Sequence, residues 1–223
     1  MIQDEVFYSG EGDSWFERNK QSICQNRGDD LPFQILKESL QLAEVKSVLE
    51  VGCANGWRLN LLSEMFPDAT FSGMDASLAA IEDGKKRYPG ITLTHGLLSE
   101  IPFEKSFDLV IVNFVLHWVD RSSLIRSVSE IDRVVNDGGY LLLGDFLPDM
   151  PQRRIYHHVD QGVYTYKQDY PQLFKSLGTY QEAVRKLFNH DDKSKSLAET
   201  DASSRAVCSL LAKSLSDYYM ESE

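Results

Sequence analysis

From residue 46 onward, short apolar runs alternate with longer amphipathic segments, and this alternation constrains the fold more than any other feature of the chain. Such alternation is typical of a parallel sheet covered by helices. The run 107–112 is apolar on both faces apart from Asp108, as a central strand of a parallel sheet should be. The pattern predicts a doubly wound α/β fold with strands at 47–51, 70–74, 91–94, 107–112 and 139–144.

Segments with helical spacing connect these strands and begin near Leu59, Leu78 and Leu124. Asp137-Gly138-Gly139 is predicted to end the last of these helices and to turn the chain into the fifth strand. Further along, a short helix that ends on glycine is predicted over 170–178. The connections are therefore those of a strand–helix–strand fold.

Two closing strands are predicted over 180–188 and 205–215, although a helical interpretation of both segments fits nearly as well. Before the first strand, a helix is predicted to begin at Asp30-Leu31-Pro32, where Asp can cap the helix and Pro fits its first turn. The chain of 223 residues has the length of one domain, since roughly 100–200 residues per domain is usual and α/β folds often run longer.

Charge and composition exclude several classes of partner. The chain has 34 acidic and 23 basic side chains, for a formal net charge of −11. A protein this negative is repelled by phosphate backbones unless it has a concentrated basic face, and the densest basic cluster is only Lys85-Lys86-Arg87. We therefore expect no nucleic-acid partner.

Membrane and targeting signals are missing from the sequence. No run approaches the roughly 18 apolar residues of a membrane span, and the first residues lack the order of a signal peptide. We expect a cytoplasmic protein with no membrane partner. Its three cysteines, Cys24, Cys53 and Cys208, are widely spaced and odd in number, so neither a disulfide framework nor a metal site is expected.

The sharpest local signal lies at 48–56, where a buried strand runs into a turn of small residues and then a helix. Gly52 and Gly56 let the backbone approach a ligand, and the helix presents free N–H groups, so a nucleotide-type ligand fits this turn. NAD is a poor fit, because Ala54 and Trp57 stand at the second and third glycines of the dinucleotide motif. The alternative is a plain strand-to-helix turn with two convenient glycines.

A carboxylate strengthens the nucleotide interpretation. Asp75 ends the second predicted strand, 19 residues after Gly56, where doubly wound folds place an acid that holds a ribose diol. The alternative role for Asp75 is a cap for the helix that begins at Ala76-Ser77, and one residue can fill both roles.

On these residues the chain resembles the class I S-adenosylmethionine-dependent methyltransferases, of the small-molecule types 11 and 12, over about 46–213. The family's glycine motif is matched by Glu50, Gly52 and Gly56, with Ala54 at the middle glycine. The resemblance implies a mostly parallel seven-stranded sheet, S-adenosyl-L-methionine as the cofactor and S-adenosyl-L-homocysteine as the product. The cofactor-binding residues that it implies are Arg18, Glu50, Gly52, Cys53, Ala54, Asn55, Gly56, Asp75, Ala76, Leu97, Leu98 and Asn113.

Within this set the resemblance assigns the cofactor's ribose to Asp75. Leu97 stands where the family often has an aspartate that binds the adenine amino group. Backbone contacts and apolar packing by Leu97 and Leu98 are therefore expected in place of that side-chain hydrogen bond.

The segment 107–120 resembles the family's fourth strand and the loop that faces the methyl group. Asn113 ends this strand, at the edge where open α/β sheets bind ligands. Methyl transfer is an in-line displacement, so the main task is to align donor and acceptor, and a base helps only a protonated acceptor. We expect His117 to be that base. The alternative is a structural histidine packed beside Trp118, which is itself expected as acceptor-site wall or core.

The resemblance also divides the single domain into parts. Residues 1–45 are expected to form a helical lid, 46–145 the cofactor-binding half, and 146–223 an acceptor-side insertion with the closing strands. In the lid, Arg18 suits the methionine carboxylate, since a guanidinium matches a carboxylate in a fork, although a solvated helix face is an equal alternative. The residues expected at the acceptor are Tyr8, Trp15, Trp118, Tyr156 and His157.

Taken together, the sequence predicts an S-adenosylmethionine-dependent methyltransferase that acts on a polar small molecule. Glu50 and Asp75 would then provide a negative field for a cationic sulfonium. Two alternatives are an enzyme of the same fold that modifies the cofactor itself and a non-catalytic protein that only binds it. The oligomeric state is not predicted.

Overall fold

The computed structural model describes residues 2–25, 30–39, 45–159, 162–192 and 194–221. The strands in these ranges are β1 (Ser47–Val51), β2 (Thr70–Asp75), β3 (Thr92–His95), β4 (Phe107–Asn113), β5 (Val135–Phe146), β6 (Gln152–Ile155), β7 (Tyr164–Lys167), β8 (Tyr180–Asn189) and β9 (Arg205–Lys213).

Seven of these strands form one sheet in the order β3-β2-β1-β4-β5-β9-β8. The neighbours from β3 to β5 are parallel, whereas β9 runs antiparallel to both β5 and β8. The predicted seven-stranded, mostly parallel sheet is confirmed. Both closing segments are strands, and β9 is buried along nearly its whole length because it pairs on both sides.

Helices cover both faces of this sheet. They are α1 (Gln3–Val6), α2 (Gly12–Gln25), α3 (Leu31–Ser39), α4 (Trp57–Met65), α5 (Leu78–Arg87), α6 (Leu124–Val134) and α7 (Tyr170–Lys175), with a π-helical turn at Phe7–Glu11 and 3-10 turns at Leu116–Trp118 and Leu197–Glu199. Helices α3, α4 and α5 bury their apolar side chains on one face, and α6 and α7 bury theirs on the other. Each described helix is too short or too polar to cross a bilayer.

Two local predictions need correction. Helix α6 ends at Val134 and β5 begins at Val135, so the glycines at 138 and 139 do not end the helix. Val135 is buried and pairs with Phe107, and the pairing register then shifts, so Gly138, at φ +78°, lies in an irregularity inside β5. The second correction is that 146–169 contains a two-stranded hairpin, β6–β7, for which no strands were predicted.

The amino-terminal segment, residues 2–25, packs at the carboxyl edge of the sheet. The Gln3 side-chain amide donates to the carbonyl oxygens of Trp118 (2.5 Å) and Tyr164 (2.7 Å). Asp13 accepts from the Ser77 hydroxyl (2.7 Å) and the Ala79 N–H (2.9 Å), at the start of α5. These contacts join the segment to the turn after β4, to β7 and to the start of α5.

At the amino ends of the parallel strands, Asp108 connects β4 to β1 by hydrogen bonds. Its carboxylate accepts from the N–H groups of Lys46 and Ser47 and from the Ser47 hydroxyl, each at 2.9 Å, and from the Asn136 amide at 2.7 Å. Burial alone would raise the pKa of Asp108, but these hydrogen bonds outweigh burial and lower it. The ionised carboxylate therefore stabilises the register of the two central strands.

We expect Asp108→Ala to lower the free energy of unfolding by about 1.5–3 kcal/mol, the range for hydrogen bonds to a charged group. Urea denaturation measures this change, and Asp68→Ala, in an exposed turn, is the matched control. Because the folded-state pKa of Asp108 is depressed, its contribution is present above pH ~4 and is lost as the pH falls through the folded-state pKa. An equal effect of both variants would contradict this role.

Candidate functional site

In the turn between β1 and α4, every second residue has a left-handed backbone conformation, with a positive φ. Gly52, Ala54 and Gly56 have φ values of +73°, +49° and +78°. A Cβ atom at Gly52 would lie 2.2 Å from a methyl group of Val115, so this position requires glycine. The N–H groups of Gly52 and Cys53 donate to the Met74 carbonyl (2.8 and 3.1 Å), which fixes the turn against β2.

Asp75 closes this arrangement from the end of β2. One carboxylate oxygen accepts from the Ala54 N–H and the other from the Ser77 N–H, both at 2.8 Å. Burial raises the pKa of Asp75, and the two backbone hydrogen bonds partly offset this. Each carboxylate oxygen can accept a second hydrogen bond, so capacity remains for two hydroxyls of a diol. The cap and the ligand roles predicted for Asp75 are therefore compatible in this geometry.

A cavity of about 280 Å³ lies against this turn and the carboxyl ends of β2 and β4. Ten of the predicted site residues line it: Trp15, Gly52, Cys53, Ala54, Asp75, Ala76, Leu97, Leu98, Asn113 and Trp118. Burial raises the pKa of the Cys53 thiol well above its ordinary value, so this side chain is a neutral wall. The lining also includes Phe114 and Val115, from the loop predicted to face the methyl group, and residues that the sequence analysis did not assign to the site, among them Asp4, Phe7 and Arg58.

Glu50 does not line the cavity, in contrast to the prediction. Its side chain is 1% exposed and forms an ion pair with Arg58, which also donates to both carboxylate oxygens of Asp30 at 2.9 and 3.0 Å. Burial raises the pKa of Glu50 to about 7, because the attraction of Arg58 offsets the lost hydration only in part. Glu50 thus orients Arg58, and Arg58 is the member of this ion-paired set that reaches the cavity lining.

Asn55 and Gly56 also lie outside the cavity lining. The Asn55 side chain is fully buried and donates to Asp83 at 2.8 Å, so it ties the turn to α5. Gly56 caps α4, and a Cβ atom there would lie 3.1 Å from Leu93. Both residues support the turn from behind, and the cavity lining does not support their predicted contact with the cofactor.

Arg18 and Tyr156 meet each other and do not line the cavity. The Arg18 guanidinium donates to Glu11 at 2.5 Å and to the Tyr156 hydroxyl at 2.6 Å, and that hydroxyl donates to Glu11 at 2.6 Å. Burial and the Glu11 charge raise the pKa of Tyr156. The carboxylate partner of Arg18 in this structure is Glu11, and Arg18 joins α2 to the segment after β6. Its predicted contact with the methionine carboxylate has no support from the cavity lining.

His117 lies beside the cavity lining and not in it. Its side chain is buried, with Nδ1 3.0 Å from an oxygen of Asp145, and its ring packs against Phe114, Trp118 and Phe146. The structure therefore places the predicted base as the structural alternative describes, in a buried pair with Asp145. The sequence alone could not show the pairing of His117 with Asp145, because Asp145 lies 28 residues away in the chain.

Tyr8 and His157 are also outside the lining. The Tyr8 ring stacks on His95 at 4.2 Å and is 44% exposed, and His157 is exposed beside His158. Within the described ranges, no group of His, Cys, Asp or Glu is arranged to hold a metal ion. The contact of Tyr8 and His157 with an acceptor stays a prediction without support from the cavity lining.

Comparison with known proteins matches residues 48–139 to a family model described as a methyltransferase domain. The solved structure of a 1,6-didemethyltoxoflavin-N1-methyltransferase of Burkholderia thailandensis, with S-adenosylhomocysteine bound, has the same fold, with a TM-score of 0.65. The two sequences are 14% identical, and the match covers 93% of this chain and 89% of that chain. Over residues 48–139 the chain is therefore similar to a methyltransferase domain. The predicted family is confirmed, and S-adenosylmethionine is the cofactor of such domains.

Curated relatives match only in part. A malonyl-[acyl-carrier protein] O-methyltransferase of Halalkalibacterium halodurans is 28% identical over 52% of this chain and 45% of its own length. A fatty-acid O-methyltransferase of Mycolicibacterium smegmatis is 33% identical over 49% of this chain and 41% of its own length. The matched region thus spans less than half the length of these relatives.

The left-handed backbone of Ala54 generates a stability prediction. An L-residue in this conformation costs roughly 1–2 kcal/mol, and glycine avoids most of that cost. We expect Ala54→Gly to raise the free energy of unfolding by up to about 1 kcal/mol, as measured by denaturant titration. The control Ala79→Gly, inside α5, should lower it by about 1 kcal/mol. A loss of stability in Ala54→Gly equal to that of the control would contradict the strain.

Proposed function

We propose that the protein transfers a methyl group from S-adenosylmethionine to a small-molecule acceptor. The observation that carries this proposal is the junction of the glycine turn and Asp75 on one wall of the cavity. Gly52 lines the cavity without a side chain, and Asp75 has free acceptor capacity for the two ribose hydroxyls. The apolar side chains Leu97 and Leu98 line the part of the cavity where the adenine is expected.

The cofactor, when bound, supplies an electrophilic methyl group. The acceptor's lone pair forms the new bond to the methyl carbon while the sulfur–carbon bond breaks, and the electron pair stays on sulfur, giving S-adenosylhomocysteine. The chain's own contribution is position and exclusion of water. Asn113 and Trp118 line the end of the cavity nearest to β4, and Phe7 and Trp15 enclose it from the amino-terminal segment.

We infer that this segment is part of the same domain and acts as the lid over the cofactor. Its hydrogen bonds to Trp118, which lines the cavity, and to Tyr156 and Ser77 support this role, because they fix the segment at three separate points of the fold. No titratable imidazole lines the cavity within the described residues. An acceptor that is already deprotonated, or that loses its proton to water, suits this site better than one that depends on His117.

The acceptor class is open to a narrower proposal. The relatives named above act, by their names, on malonyl-[acyl-carrier protein] and on fatty acids, both as O-methyltransferases. These names support an oxygen atom as the acceptor. The polar small molecule predicted from the sequence remains compatible with this, since a carboxylate or hydroxyl is the polar group that would be methylated.

Binding of S-adenosylhomocysteine tests the cofactor site. We expect calorimetry to show binding to the wild-type protein and at least a tenfold loss of affinity in Asp75→Asn, because one charged acceptor of the ribose hydroxyls is lost. Asp68→Asn, in an exposed turn, is the matched control. Circular dichroism of each variant separates loss of binding from loss of fold.

Failure of S-adenosylhomocysteine to bind the wild-type protein, or equal affinity for Asp75→Asn, would overturn the cofactor site. Turnover then separates the two alternatives. A cofactor-modifying enzyme changes the mass of S-adenosylmethionine with no acceptor present, whereas a non-catalytic protein binds it and forms no S-adenosylhomocysteine with any acceptor. Acceptor-dependent formation of S-adenosylhomocysteine supports the proposed reaction.

A further inference from the structure

Three half-exposed or exposed rings stand together at the carboxyl ends of β4, β5 and β8. We call Phe114, Phe146 and His190 the aromatic wall. Their ring centroids are separated by 5.2 Å (Phe114 to Phe146), 4.9 Å (Phe114 to His190) and 4.8 Å (Phe146 to His190). Phe114 also lines the cofactor cavity, so the wall begins at the cavity and extends along the sheet edge away from it.

The backbone of Phe114 is held in an unusual conformation. Its φ is +56°, and its N–H donates to the Gly144 carbonyl at 2.7 Å. A bulky L-residue with positive φ is strained, and such strain persists only where the surrounding structure imposes it. With this backbone conformation, the Phe114 ring lines the cavity on one side and contacts Phe146 and His190 on the other.

Lys167, at the end of β7, lies beside this wall. Lys167 is 8% exposed, and its ammonium lies 3.5 Å from the centroid of the Phe146 ring. Among the described residues, its one hydrogen bond goes to the Ser203 carbonyl at 3.5 Å. An ammonium has three donors, and buried donors without acceptors are costly, so Lys167 has unused binding capacity.

The neighbouring acids do not supply the missing partner. Asp145 lies 3.0 Å from His117, and Asp191 lies 3.2 Å from His190. Neither forms an ion pair with Lys167 within 4.0 Å in the part of the chain that the structure describes, although both attract it from a greater distance. Burial and the charge of Arg154 outweigh that attraction and lower the pKa of Lys167.

We propose that Lys167 and the aromatic wall form the acceptor site and select a flat acceptor that carries a carboxylate. The ring or unsaturated part of the acceptor would stack on the wall, since aromatic faces favour offset stacking with other flat groups. The carboxylate would pair with Lys167, where a charge-assisted hydrogen bond is strong. The far end of the acceptor then lies at Phe114, next to the methyl donor. This assignment rests on the proposed methyl transfer and names its substrate class.

Binding of two matched probes tests the assignment. The probes are 4-hydroxycinnamate and its neutral amide, titrated by calorimetry into the full chain with and without S-adenosylhomocysteine. We expect the carboxylate to bind at least tenfold more tightly than the amide. Lys167→Met, which keeps the length and removes the charge, should abolish this preference, and Lys167→Arg should retain it.

Lys105→Met is the control. Lys105 also places its ammonium near a phenylalanine ring, 4.9 Å from the centroid of Phe107, but it is exposed and lies just before β4, at the amino ends of the parallel strands. We expect this variant to keep the wild-type preference. If the role of Lys167 is purely structural, Lys167→Met should weaken the binding of both probes equally and leave the ratio of their affinities unchanged. That result would overturn the proposal.

The proposal would also be overturned if wild-type protein bound neither probe at millimolar concentration, or bound both equally. These outcomes are distinct from failure of the proposed function. A protein that binds S-adenosylhomocysteine but shows no carboxylate preference loses only the acceptor assignment. A protein that shows the Lys167-dependent preference but fails to bind S-adenosylhomocysteine keeps an anion site and loses the methyl-transfer function.

Discussion

The Asp75 carboxylate is the interaction on which the geometry of the site depends. One oxygen holds the backbone of the turn after β1, at Ala54, and the other holds the backbone at the start of α5, at Ser77. A Cβ atom at Gly12 would lie 3.1 Å from the Ala76 backbone, so the amino-terminal segment packs directly on the residue that follows Asp75. Two parts of the chain therefore meet at one side chain, and a third packs on the next residue. Displacement of Asp75 would disturb the turn, the start of α5 and the amino-terminal segment together.

Behind this junction, the site is braced by charge that is almost wholly buried. Arg58 connects Glu50 of β1 with Asp30 at the start of α3, and all three side chains are less than a tenth exposed. Such a network is weak evidence for stability, because dehydration of the ions opposes their attraction. Its geometric effect is clearer: it fixes the first turn of α4 relative to both β1 and α3. The cavity therefore has one rigid wall, made by buried groups, and one wall supplied by the amino-terminal segment.

The parts that could be predicted from the sequence are those whose determinants are local. The turn over 48–56 requires glycine and small residues within a few positions, and Asp75 follows its own strand, so both are found at the cavity. Asn55 and His117 were predicted at ligands, but the structure places them beside Asp83 and Asp145, each 28 residues away in the chain. No pattern in one sequence shows such pairings. The hairpin β6–β7 was missed for a related reason, since four-residue strands rich in charged and aromatic residues carry no regular alternation.

The contacts of the amino-terminal segment also affect the order of folding. Gln3 is bonded to residues 115 and 161 positions further along the chain, and Asp4 accepts from the N–H of Asp120, which is 116 positions away. Contacts of such long sequence separation close late, because the entropy of loop closure must be overcome first. During synthesis this segment emerges before every residue that it docks against. This segment is thus expected to be among the last parts of the fold to reach its native position, and the cavity is complete only after that step.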